Sequence, residues 1–186
     1  MLIFIKMKKD IERFIEIPEG IISNLEGKNL TIKKNDRELT RKFDFNKVDI
    51  SILDNKIKIS SKKATRRESG IVGTIWAHIN NMMKGVDEDF IYKMEICNVH
   101  FPMNVKVDGN KVIIKSFLGE ITERVAKILP DVNVEVKGNQ IIVSSKDIEA
   151  AGQTVTNLEK ATHLTGRDRR IFQDGIYLIN KCGKEI

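Results

Sequence analysis

The sequence repeats itself, and that constrains its fold more than any other feature. Asp49-Ile50-Ser51-Ile52 and the run Lys56-Ile57-Lys58-Ile59-Ser60-Ser61-Lys62 reappear as Asp131-Val132-Asn133-Val134 and Gln140-Ile141-Ile142-Val143-Ser144-Ser145-Lys146. In this pairing, Val136-Lys137-Gly138-Asn139 takes the place of Leu53-Asp54-Asn55 with one extra loop residue. Upstream, Leu25-Glu26-Gly27-Lys28-Asn29-Leu30-Thr31-Ile32 matches Val107-Asp108-Gly109-Asn110-Lys111-Val112-Ile113-Ile114, and Gly70 and Gly152 each begin a helical pattern. A long self-match means two copies of one supersecondary unit, each burying its own apolar face.

Each copy reads as several antiparallel strands followed by one helix. Gly27 and Gly109 suit tight hairpin turns, because glycine takes positive φ without a Cβ clash. The flanking segments alternate apolar and polar: Ile50, Ile52, Ile57 and Ile59 in the first copy, Val132, Val134, Ile141 and Val143 in the second. Such β-branched alternation fits a half-buried strand. Next, Ile71, Val72, Ile75, Trp76, Ile79, Met82 and Met83 recur at helical spacing, as do Ile148, Ala151, Val155, Leu158 and Ala161. The predicted fold is therefore α+β, an internal duplication of two similar domains, each of antiparallel β-sheets with one covering α-helix. The N-terminal repeat spans 1–84 and the C-terminal repeat 85–186, with Gly85 ending the first helix.

Charge divides along the same lines. The 186 residues carry 32 Lys and Arg against 26 Asp and Glu, a net +6. Residues 1–84 hold 18 of the cations and 11 of the anions, residues 85–159 hold 8 and 12, and residues 160–186 hold 6 and 3. One basic block runs from Lys56 and Lys58 through Lys62, Lys63, Arg66 and Arg67; the other comprises Lys160, Arg167, Arg169, Arg170, Lys181 and Lys184. Lysines alternating along a strand read as its wet face, and this applies to Lys56 and Lys58. Three arginines within four residues differ in kind. A guanidinium offers a planar fork of donors that matches phosphate oxygens and stacks on bases, so Arg167, Arg169 and Arg170 are the foremost candidates for binding an anionic partner. Phe172 beside them is a candidate for stacking, and Asp174-Gly175 reads as a turn into the strand Ile176–Ile179.

Other classes are disfavoured. No apolar run approaches the ~20 residues of a membrane span, and Met1–Ile5 is too short to be a signal peptide. Two cysteines, Cys97 and Cys182, suit a reducing compartment. Three separated histidines offer no metal-ligand spacing, so neither a metal nor a cofactor is expected. No Walker, dinucleotide or nucleophile-elbow motif occurs, and Gly70 and Gly73 read as close packing rather than a phosphate cradle. Asp87, Glu88 and Asp89 read as a solvated loop, Trp76 as core, and His78, His100 and His163 as structural or surface residues. No enzyme is expected.

The stretch from Lys160 to Lys181 resembles the C-terminal signature of the large-subunit ribosomal protein six family, in its archaeal and eukaryotic branch. The family pattern is a basic residue, two residues, Arg, one residue, Phe, one residue, Asp-Gly, an aliphatic, Tyr and a later basic residue. Arg167, Arg170, Phe172, Asp174, Gly175, Ile176, Tyr177 and Lys181 fill it, while Lys160 replaces the usual Gln. Glu16-Ile17-Pro18-Glu19-Gly20, the Gly70-to-Asn81 helix and the duplication extend the likeness over nearly the whole chain; Met1 to about Lys9 depart from it and read as an extension or an upstream start.

The resemblance implies a cytoplasmic, non-enzymatic structural protein of the large ribosomal subunit. It would bind 23S-type rRNA near the sarcin–ricin loop and the translation-factor binding region, mainly through its second domain. Its partners would be large-subunit rRNA, neighbouring ribosomal proteins and, transiently, translation factors, with no membrane and no small-molecule substrate. The rRNA contacts would be Lys160, Arg167, Arg169, Arg170, Lys181 and Lys184, with Lys62, Lys63, Arg66 and Arg67 as a weaker second set. The competing reading is a tandem α+β protein-interaction module that does not bind RNA.

Overall fold

The computed structural model describes residues 9–53 and 55–186; residues 1–8, which include the short apolar stretch Met1–Ile5, and Asp54 lie outside the described residues. The chain divides between Glu88 and Asp89 into two compact units. In the first, β1 (Lys9–Glu16), β5 (Asp49–Leu53) and β6 (Lys56–Ala64) form a sheet ordered β1-β6-β5, and β2 (Ile22–Glu26), β3 (Asn29–Lys34) and β4 (Arg37–Lys42) form a second. Helix α1 (Arg66–Asp87) covers them. Its buried stripe of Val72, Ile75, Ile79, Met82, Met83 and Val86 closes a core with Leu30, Ile32, Ile57 and Ile59.

The second unit repeats this plan. Strands β8 (Asn104–Asp108), β9 (Lys111–Lys115) and β10 (Arg124–Lys127) make the three-stranded sheet. A larger sheet is ordered β11-β12-β7-β13-β14, from β7 (Phe90–Cys97), β11 (Val132–Lys137), β12 (Gln140–Ser145), β13 (Gly175–Lys181) and β14 (Lys184–Glu185). Helix α2 (Ile148–Ala161) buries Ala151, Thr154, Val155 and Leu158 against Met94, Ile114, Ile141 and Ile176. The last two strands are the addition: β7 has β12 on one side and β13 on the other.

Gly27 and Gly109 take the first loop position of two-residue hairpin turns, with φ of +62° and +53°. The helix starts also correspond. Thr65 caps α1 in a reciprocal box with Glu68, Asp147 caps α2 by accepting from the Glu149 N–H, and Gly70 and Gly152 fall in the same turn of their helices.

The structure corrects several readings. Both β5–β6 and β11–β12 turn through two residues, Leu53 opposing Lys56 and Lys137 opposing Gln140, so there is no extra loop residue. Ile50 opposes Ile59 as Val134 opposes Val143; the true equivalents are Ile50 with Val134 and Ile52 with Val136. Matching hydrogen bonds fix this register, Ser61 Oγ to the Lys47 carbonyl at 2.7 Å and Ser145 Oγ to the Asp131 carbonyl at 2.8 Å, each spanning 14 residues. Second, Gly85 does not end α1: it is buried in the last turn, and the helix runs on to Asp87, whose carboxylate pairs with Lys34. Third, Trp76 is 39% exposed, flanking the apolar stripe with the Arg13 guanidinium 6.0 Å from its ring centre. Fourth, Gly70 is not closely packed, with nothing within 4 Å of where its Cβ would stand.

Candidate nucleic-acid interface

The segment between α2 and β13 carries the arginines, and the second unit holds it from several sides. Its start is fixed by Arg124, on the inner side of β10. That guanidinium lies 4.3 Å from the centre of the buried Phe117 ring, donates to the carbonyls of Ala161 (2.9 Å) and His163 (3.3 Å), and pairs with Glu120. It thereby closes two carbonyls at the end of α2, where a cation is favoured by the helix dipole. The Thr162 hydroxyl accepts from the Ile176 N–H at 3.0 Å and Glu159 Oε1 from the Leu178 N–H at 3.2 Å, tying the helix end to β13.

The segment's end is fixed by Asp174, only 1% exposed. Its Oδ1 accepts from the backbone N–H groups of Val99 (2.8 Å) and His100 (3.0 Å), and its Oδ2 meets His100 Nδ1 at 2.6 Å. Burial acts to raise its pKa, but the His100 backbone and ring donors and the Val99 N–H outweigh this and hold the carboxyl below its ordinary value. Asp174-Gly175 is thus not a turn, which corrects the sequence reading; the turn lies at Asp168–Phe172, where the Asp168 carbonyl accepts from the N–H of Ile171 (3.2 Å) and Phe172 (2.9 Å). Gly175 serves a different need. A Cβ there would stand 2.9 Å from Tyr177 Oη and 3.0 Å from Cζ, so the Tyr177 ring lies directly over the glycine.

Between these anchors the arginines take separate surroundings. Arg167 stands over the Phe172 ring at 4.7 Å from its centre, and Phe172 stacks on the His100 ring at 4.9 Å and 23°, a three-layer pile. Arg169 Nη2 donates to His163 Nδ1 at 2.6 Å. Arg170 is 92% exposed, its backbone N–H held by Asp168 Oδ1 at 2.9 Å. Lys160, exposed in the last turn of α2, shares a cavity of about 300 Å³ with Arg169, His163 and Tyr177.

The remaining candidates lie elsewhere. Lys181 and Lys184 face one another across the terminal hairpin, at the far end of β13 and roughly 20 Å of strand from the arginine turn. They form a second cationic spot on the same unit, since like charges directly opposite one another repel and gain from a shared anion. In the first unit, Lys56 and Lys58 pair with Glu16 (2.8 Å) and Glu12 (2.7 Å). Lys62 and Lys63 sit on a bulge opposite Asp10, which accepts from the Lys63 N–H at 2.7 Å, and Arg66 and Arg67 begin α1. Cations at a helix start oppose its dipole, so these arginines are placed there against local preference.

Sequence reasoning missed Arg124 and the His100–Asp174 contact, whose partners are far apart in the chain. It named Tyr177 only as part of a pattern. Among the described residues no cluster of His, Cys, Asp and Glu could hold a metal ion, and no helix is long and apolar enough to cross a membrane.

The family model for Ribosomal protein L6 matches the chain twice, over residues 17–89 and 101–175. The chain is 42% identical to the large ribosomal subunit protein uL6 of Methanococcus vannielii over 174 residues, covering 94% of this chain and 96% of that one. It is 43% identical to the uL6 protein of Methanothrix thermoacetophila over 175 residues, covering 94% and 99%. The uL6 protein of Methanosphaera stadtmanae is 44% identical over 178 residues, covering 95% and 97%.

Proposed function

Because this chain belongs to the ribosomal protein L6 family, we propose that it is a structural constituent of the large ribosomal subunit and grips large-subunit rRNA through its C-terminal unit. The observation that carries this is the arginine turn: three guanidinium groups on one short ordered segment, anchored at one end by Arg124 and at the other by the buried Asp174. Folded RNA is read largely through backbone and shape, which an array of fixed forks suits better than flexible lysines. Arg167, Arg169, Arg170 and Lys160 are the principal contacts. Lys181 and Lys184 reach a second stretch of backbone, and Lys62, Lys63, Arg66 and Arg67 on the N-terminal unit form a weaker third set.

The net-negative body of residues 85–159 does not oppose this reading, because the cations that matter lie in the segment after it. The acidic surface faces solvent or basic neighbouring ribosomal proteins. The site on rRNA is the region of the sarcin–ricin loop, beside which translation factors dock transiently in the cytoplasm. The role is to hold RNA in shape, not to transform a substrate. Sucrose-gradient sedimentation of lysate tests it: the chain should travel with large subunits after a high-salt wash. A peak at the top of the gradient instead supports a free protein-interaction module.

A further inference from the structure

We propose that the cavity beside the arginine turn is a seat for one unpaired RNA nucleotide, its base on Tyr177 and its phosphate on Arg169 and Lys160. The inference rests on the rRNA-binding reading and adds a defined contact to it. The cavity, of about 300 Å³, lies at the small end of the ~300–1,000 Å³ range of ligand sites, a size for a single nucleotide.

Its walls are of two kinds. The Tyr177 ring lies over Gly175, its hydroxyl donates to the Asp174 carbonyl at 3.4 Å, and the residue, 39% exposed, lines the cavity. A half-exposed aromatic beside cations is the arrangement on which single-stranded bases stack. Opposite in character are Arg169, held by His163, and Lys160, exposed at the end of α2. Glu159, a further wall residue, accepts from the Leu178 N–H and brings a carboxylate able to accept from an N–H on a base edge as well. Shape, aromatic surface, cations and acceptor thus converge on one ligand class, a nucleotide whose base is out of its stack. Simple phosphate would use only the cations and leave the ring idle.

The test is NMR of the full-length chain titrated with each of the four ribonucleoside 5′-monophosphates and, separately, with inorganic phosphate. At least one nucleotide should move the Tyr177 ring signals saturably, while phosphate should move only Arg169 and Lys160. Tyr177→Leu should weaken nucleotide binding about tenfold, as for loss of one base stack. Arg169→Ala, at an exposed position outside the core, should weaken it with thermal unfolding unchanged, and Tyr177→Phe should retain it. The proposal is overturned if no nucleotide moves the ring, if phosphate reproduces every shift, or if Tyr177→Leu binds as the parent does. Filter binding to purified large-subunit rRNA separates the two readings. A chain that binds rRNA while no nucleotide reaches Tyr177 loses the pocket and keeps the ribosomal role; a chain that takes the nucleotide and ignores rRNA does the reverse.

Discussion

His100 and Asp174 stand 74 residues apart in sequence, yet the imidazole Nδ1 lies 2.6 Å from the carboxylate Oδ2. The contact closes the loop after β7 onto the start of β13 and sets the far end of the arginine turn.

Removing this carboxylate leaves two backbone N–H groups and an imidazole without their acceptor. Asp174→Ala should cost about 3 kcal/mol, the scale of breaking a buried, charge-assisted network from one side. Urea denaturation measures it, and a loss well under 1 kcal/mol would show that the network adds little. The pH dependence has a definite sign. Asp174 titrates below its ordinary 3.8 when folded, so its contribution is complete above that value and disappears as pH falls through the lower folded pKa. Asp174→Asn should therefore flatten the acid limb of the stability profile below about pH 4.

Gly175→Ala would bring a methyl group within 2.9 Å of Tyr177 Oη. The obstacle is the far end of a side chain, so the ring should swing away at a cost of about 1 kcal/mol, the low end for overpacking. In a Tyr177→Leu background the same substitution should be nearly neutral. A double-mutant cycle reads this coupling, and additive effects would place the strain elsewhere.

Replacing Arg167, Arg169 and Arg170 together by Ala should weaken rRNA binding and reduce its logarithmic salt slope by about two units, since each lost phosphate contact removes somewhat under one. Filter binding between low and moderate salt gives both quantities. Unchanged slope with unchanged affinity would exclude the turn from the interface.

Thr65→Ala removes the N-cap of α1 and should cost about 1 kcal/mol. The Thr65 hydroxyl and N–H hold the Glu68 carboxyl at a pKa of about 2 in the fold, against an ordinary 4.5. That part of the helix's stability is present above pH 4.5 and lost as pH falls toward 2. Glu68→Gln should remove the dependence, as followed by circular dichroism across that range.

Much of this was legible in the sequence because duplication writes the same instructions twice. Gly27 and Gly109 announced their turns through a conformation that other residues resist, and β-branched alternation announced β5, β6, β11 and β12. The same alternation misled the alignment of the two copies. A slip of two residues keeps every apolar side chain on its own face, so Ile50 matched Val132 as comfortably as Val134, and it takes the strand pairing and the hydrogen bonds of Ser61 and Ser145 to decide. Trp76 illustrates a second limit: at 100° per residue it lies beside the stripe, and helical spacing alone does not locate the stripe's edge. The arginine turn was visible as composition. Its anchors were not, because Arg124, His100 and Asp174 meet only through the tertiary fold.

The position of β13 also governs how the protein is made. The described strands of the first unit have all left the ribosome once Glu88 has emerged. In the second unit β7 is synthesised early but keeps one edge unpaired until Gly175–Lys181 follows, after every other strand of that sheet except β14. The arginine turn immediately precedes that closing strand, so the surface proposed to grip RNA takes its final shape only once β13 has been made, and a nascent chain stalled before β13 would hold an open sheet and no organised turn.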